Sequence, residues 1–189
     1  MNIFYLHFDP KTCAQYHCDK HVVKMIIEYA QLLSTAHRIL DGTEYIEQKY
    51  VQGSFPARWR KMKRWKLDDH REPILYKASH INHPSGVWVR QSLDHYQWLW
   101  NLASELCQEY RHRYGGENDK QHKTSLVIQK LSFAPDNITR NGLFTEPPQA
   151  MPTDAKIPGD SISAYRNYYK MYKTRFATWK NREIPEWYK

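Results

Sequence analysis

Six side chains between His17 and Thr35 recur at helical spacing and carry the groups that proton-transfer chemistry uses. At about 100° per residue, His17, His21, Lys24, Glu28, Gln31 and Thr35 fall within a band about 80° wide. A carboxylate beside imidazole and ammonium is an acid–base set, and burial would bring the pKa values of Glu28 and Lys24 toward neutrality. Glu28 is the candidate general acid or base. Lys24 would stabilise charge or attack as a desolvated amine. His17 and His21 would position substrate and carry protons, and Gln31 would contact it. Lys24 before Glu28 is the weaker order for a plain surface ion pair, which favours a purpose other than helix stability. Two readings stay open at this point: the stripe is the solvent face of its helix, or it walls an internal cleft.

The same two histidines, with Cys13 one turn earlier, could grip a metal from one helix face. The glutamate of an H-E-x-x-H motif is absent, because Cys18 follows His17, and no paired-cysteine motif exists. The expectation is therefore no metal and no cofactor. A second constellation is His80-Ile81-Asn82-His83-Pro84, followed by Arg90; Asn82, His83 and Arg90 are candidate substrate contacts on a loop. A third is the run Arg58-Trp59-Arg60-Lys61-Met62-Lys63-Arg64-Trp65-Lys66. Cations for phosphates, interleaved with flat rings for bases, suit nucleic acid, and Trp59, Arg60, Lys63, Arg64 and Trp65 are its candidate contacts.

These groups need elements to hold them. Asp9-Pro10 is a strong helix start, with Asp as cap and Pro in the first turn, and nothing breaks the pattern before Asp41-Gly42. The expectation is one long helix over residues 10–40, preceded by a short strand or extended lead-in at 3–8. Residues 43–57 read as loop and 58–66 as helix, so that 43–72 stands out as a basic insertion. A second long helix is expected over 91–114, closed by Gly115-Gly116, a shorter one over 122–132 and a last one over 161–181. The Pro-rich stretch 134–160 reads as a loop laid over the surface. The predicted class is all-α: one compact helical domain, residues 1–189, with two long central helices.

Composition narrows the function classes. Forty-one per cent of the 189 residues are apolar and 14% aromatic, enough for a core and too many for a disordered chain. Only seven glycines occur, with no G-x-G-x-x-G or Walker string. Three cysteines cannot form a disulfide framework, which points to a reducing compartment. No apolar run is long enough to span a membrane, and no secretory signal is read at the N-terminus. Net charge is +8, and it is uneven. Residues 58–90 carry nine basic and three acidic side chains, and residues 161–189 carry seven and two. If these segments lie side by side, they make one surface for a polyanion.

The strings His17-Cys18-Asp19-Lys20-His21-Val22-Val23-Lys24-Met25 and Ala30-Gln31-Leu32-Leu33-Ser34-Thr35-Ala36-His37 resemble a family of small phage-type proteins of unassigned function. Asn82-His83-Pro84, Pro147-Pro148-Gln149-Ala150-Met151-Pro152 and Ala164-Tyr165-Arg166 extend the resemblance over most of the chain. It implies the cytoplasm of an infected bacterium and no particular activity. The ending Pro185-Glu186-Trp187-Tyr188-Lys189 is similar to that of the phage pyrimidine-dimer DNA glycosylases, small basic all-α enzymes with a catalytic Glu on an early helix. That likeness makes Glu28 the candidate carboxylate. It departs where that family attacks with the α-amine of a small residue exposed after Met removal, since residue 2 here is Asn; water or Lys24 would then be the nucleophile.

The leading expectation is an enzyme acting on a DNA base or nucleotide, by glycosylase-like cleavage or remodelling at an N-glycosidic or base-substituent bond. A thymine-type base-modifying enzyme is the alternative within that class. A non-enzymatic nucleic-acid or nucleotide binder that sequesters a host ligand is the alternative outside it.

Overall fold

The computed structural model describes residues 1–51 and 58–189, which form six α-helices and one two-stranded antiparallel sheet. The helices are α1 (Pro10–Tyr16), α2 (Asp19–Asp41), α3 (Pro84–Val89), α4 (Leu93–Tyr114), α5 (Ser125–Lys130) and α6 (Ser161–Tyr172). The strands are β1 (Thr43–Val51) and β2 (Arg58–Lys66). Helices dominate, but the all-α expectation is corrected: residues 43–51 are strand rather than loop, and 58–66 are strand rather than helix. Residues 52–57 lie outside the described part. The lead-in 3–8 is not a strand, although Ile3, Phe4, Tyr5 and Leu6 are all buried.

The expected helix over 10–40 is two helices. Asp9 starts the first by accepting from the Thr12 amide at 2.8 Å, as the Asp-Pro pair implies. The chain leaves helical geometry at His17, whose ring Nδ1 bonds the Cys13 carbonyl at 2.7 Å, and α2 begins two residues later. The C-terminal segment makes this start possible: the Asp19 amide donates to the Thr178 carbonyl, and the Asp19 carboxylate accepts from the Lys180 amide and the Thr178 hydroxyl. Side chains, water or other chain segments must satisfy a helix's first amides, and here the tail does so.

α2 is the central element, buried on most of its circumference, with α4 packed along it and α3 across it. Near its C-terminal end the buried Arg38 donates to the carbonyls of Trp65, Glu72, Leu75 and Tyr76 and to the Glu72 carboxylate. That clamp fixes the root of the β1–β2 hairpin. At the other end Arg113, fully buried, bonds Glu109, Asp19 and the Gln15 carbonyl, and Arg182 completes the neutralisation of Glu109. Burial alone would push the Glu109 carboxyl up, but the Arg182 and Arg113 hydrogen bonds outweigh it and hold the group below its ordinary value. Hairpin and basic tail thus attach at opposite ends of α2, about 30 Å apart at 1.5 Å per residue. The two basic segments do not merge there into one surface.

α4 matches its expected span, capped by Ser92 and followed by Gly116 at φ +56. α5 and α6 are shorter than expected. Residues 134–160 run over the surface as anticipated, tied down by Trp88 Nε1 to the Thr145 carbonyl and Tyr165 to the Pro148 carbonyl.

Candidate functional site

The polar stripe is neither wholly solvent-facing nor wholly buried. His17 and Thr35 are buried, His21 is nearly so, Gln31 and Glu28 are half-buried, and the Lys24 side chain is 68% exposed. His21, Lys24 and Glu28 line a cleft of about 170 Å³, closed by Met1, Asn2 and Phe4 of the lead-in and by Tyr168 and Lys173 at the end of α6. Gln31 is not in its wall. Lys24 Nζ sits 3.0 Å from a Glu28 oxygen, the carboxylate being the more enclosed partner at 17% side-chain exposure.

The two stripe histidines differ in what they can offer. His17 Nδ1 donates to the Cys13 carbonyl, and its Nε2 accepts from the Tyr29 hydroxyl at 3.2 Å. Tyr29 in turn accepts from the Phe4 amide, which fixes this neutral tautomer. With both nitrogens used and no exposure, His17 cannot meet a substrate, and the catalytic role expected of it is withdrawn. His21 uses only Nδ1, at 2.5 Å from the Tyr169 hydroxyl, and stacks on Phe4 at 4.2 Å. Its Nε2 has no protein partner among the described residues, and the ring lines the cleft. Burial, reinforced by the charges of His17, Lys173 and Lys24, pushes its pKa down to about 2. His21 is therefore a neutral hydrogen-bonding group and does not carry protons near neutral pH.

Lys173 and Tyr168 were not among the expected site residues. The Lys173 ammonium donates to the Tyr168 hydroxyl at 3.1 Å and lies 4.3 Å from that ring's centre. It adds a second cation facing the Lys24–Glu28 pair. Nothing local in the sequence signals this, because the groups lie more than 140 residues apart.

The 80–90 segment stands beside the stripe. His83 caps α3 by accepting from the Ser85 amide, and it feels the field of Glu28. Burial, with the chain-terminal ammonium and His80 adding to it, pushes its pKa down. His80 holds a left-handed backbone at φ +51, and Asn82 is exposed. Arg90 is half-buried, with Nη1 buried and unpartnered near Gly86, where a Cβ would stand 3.8 Å from that nitrogen and 3.7 Å from Leu32 of α2. Arg38, Arg71 and Arg113 all have carboxylate partners; Arg90 has none among the described residues.

The basic run is β2 of a hairpin arm. Its register pairs Tyr50 with Trp59, Lys49 with Arg60, Ile46 with Lys63 and Tyr45 with Arg64. Lys63 and Arg64 are engaged by Glu44 and Glu47, at 2.9 and 2.8 Å. Trp65 is half-buried at the root, where its carbonyl meets Arg38, whereas Trp59 is 67% exposed.

Site and fold together define a helical protein with a small charged cleft on its central helix and a projecting basic β-arm. In comparisons with known proteins, no family model matches the chain, and no similar curated protein or solved structure was found. Among the described residues no helix is long and apolar enough to cross a membrane, and no group of three His, Cys, Asp or Glu side chains is placed to hold a metal.

Proposed function

We propose that the protein is an enzyme acting on a base or nucleotide of DNA, with the cleft on α2 as its reaction site. The observation that carries this reading is the half-buried Glu28 carboxylate, paired with Lys24, in a cleft beside the unpartnered Nε2 of His21. A carboxylate, two ammonium groups and a neutral imidazole converge on a space suited to one ring or one phosphate, below the range of about 300–1,000 Å³ usual for larger ligands. Glu28 would exchange the proton, at an attacking water or at the departing base nitrogen. Lys24 and Lys173 would stabilise the negative charge that develops, and His21 would hold the substrate by a hydrogen bond from a fixed ring. Glycosylase-like cleavage and base modification both use this set.

The test is Glu28→Gln, nearly isosteric and still able to hydrogen-bond, compared with wild type on ordinary and phage-type modified DNA. The reading expects a folded variant that binds as before, with base release or base alteration lowered by about 10²–10⁴. Equal activity in the two proteins would remove Glu28 from catalysis. The wide exposure of Lys24 favours a second reading, a binder without chemistry; it gains if binding vanishes in the variant and neither protein turns over substrate.

A further inference from the structure

The β1–β2 arm is poorly explained as a structural element. A lone two-stranded hairpin is marginal in water, and this one meets the helices at α2, near its own root. Tyr45, Ile46, Tyr50 and Trp59 all stand open to solvent along it. Its charge is lopsided: residues 43–66 hold seven basic and two acidic side chains, and both acids are used up by Lys63 and Arg64. Lys49, Arg60 and Lys61 have no carboxylate partner among the described residues, and Lys49 lies directly opposite Arg60. Like charges in facing positions destabilise a strand pair. The arm is thus built against its own stability.

The register distributes these groups over both surfaces. Lys49 and Arg60 share one face; Lys61 shares the other with the Tyr50–Trp59 pair, whose ring centres are 5.6 Å apart. A single strand laid along one face of the arm would leave the cations of the other face unused, whereas a duplex groove presents phosphates on both sides of whatever enters it. The major groove of B-form DNA, about 12 Å wide, admits a two-stranded ribbon, and that of an A-form RNA helix does not. A second copy of the arm would set cations against cations.

We infer that the β1–β2 arm seats in a groove of B-form duplex DNA, with Lys49, Arg60 and Lys61 on the flanking phosphates and the Tyr50–Trp59 pair against the sugar and base edges. This rests on the reading of the protein as DNA-directed, and it names the duplex as the form that is gripped.

The decisive variant is Lys49→Glu, because stability and binding should move in opposite directions. Glutamate opposite Arg60 makes an attractive pair, so the melting temperature holds or rises. Affinity for a random-sequence DNA duplex falls at least about tenfold, and the slope of log K against log salt flattens by about 1 for each phosphate the arm no longer neutralises. Arg60→Glu makes the mirror-image pair and serves if the first variant folds poorly. Lys156→Glu, the same charge change on an exposed residue away from the arm, controls for net charge. The inference is overturned if Lys49→Glu binds duplex like wild type, if Lys156→Glu weakens binding as much, or if the matching single strand binds wild type as tightly as the duplex. Failure here with a Glu28-dependent turnover intact would leave the cleft reading standing.

Discussion

Acidification should unfold this protein through its buried imidazoles before its carboxylates are reached. Burial, the largest cause in each case, holds His17 and His37 at a pKa of about 4 and His21 at about 2, against 6.5 in an open chain. The unfolded chain therefore takes up protons that the native protein refuses. The stability these groups contribute is complete above about pH 6.5 and is lost as the pH falls toward the native values. Between about pH 7 and pH 5, linkage gives a loss of about 2 kcal/mol for each, or roughly 5–6 kcal/mol for the three. A domain's whole stability is about 5–15 kcal/mol, so the loss decides whether it stays folded. The Asp19 and Asp41 carboxyls, pushed up by burial but held low overall by their hydrogen-bond partners, titrate at lower pH and leave this window to histidine. The assay is urea unfolding followed by far-UV circular dichroism at a series of pH values. His37→Gln gives the internal check. His37 accepts from Arg71 and passes a hydrogen bond to Tyr96, which donates to the Leu131 carbonyl, and a glutamine amide can stand in that chain without titrating. Its profile should flatten by about one third of the total loss. Stability that stays level from pH 7 to 5, or an unchanged profile in the variant, would refute the reasoning.

Arg113→Met leaves the buried Glu109 with Arg182 alone and takes the cation from Asp19, and a loss toward the lower end of about 3–5 kcal/mol is expected in the same urea assay. Arg90→Met removes a charge that no acidic group balances; the melting temperature without ligand should hold or rise, while nucleotide or DNA affinity drops. A clear fall in its melting temperature would mean that Arg90 has a structural partner. Asp9→Ala removes the cap of α1 at a cost of about 1 kcal/mol, read from the same denaturation curves.

The helical body is legible in the sequence because its signals are local. Asp9-Pro10 marks the start of α1, Gly115-Gly116 the end of α4, and the projection of α2 groups His21, Lys24 and Glu28 correctly. The break at His17 is not legible: its cause is a carbonyl and a carboxylate–amide latch supplied from residues 178–180. The arm misleads for a different reason. A strand open to solvent on both faces has no need to alternate, and Trp59, Met62 and Trp65 fall at a spacing of three that imitates a helix. The usable signal is the pair of Tyr-, Trp-, Ile- and Val-bearing runs on either side of Gly53 and Pro56. Lys173 and Tyr168 have no sequence signal, because only tertiary packing brings α6 to the lead-in.

The latch on Asp19 also fixes when the cleft can come into being during synthesis. His21 meets Tyr169 across 148 positions, Leu6 meets Arg166 across 160, and Asp19 meets Lys180 across 161. At ribosomal speeds of about 5–20 residues per second, α2 emerges on the order of ten seconds before the groups that enclose it. Contacts of such long range also slow the search that follows, because loop closure must precede their reward. Throughout that interval α2 can already be covered by α3, α4 and α5, but its N-terminal end waits for Tyr169 and for the latch from residues 178–180. The cleft is thus among the last parts of the molecule to be completed, and a chain stopped short of residue 168 would carry Glu28 and Lys24 without the Tyr168 and Lys173 wall that faces them.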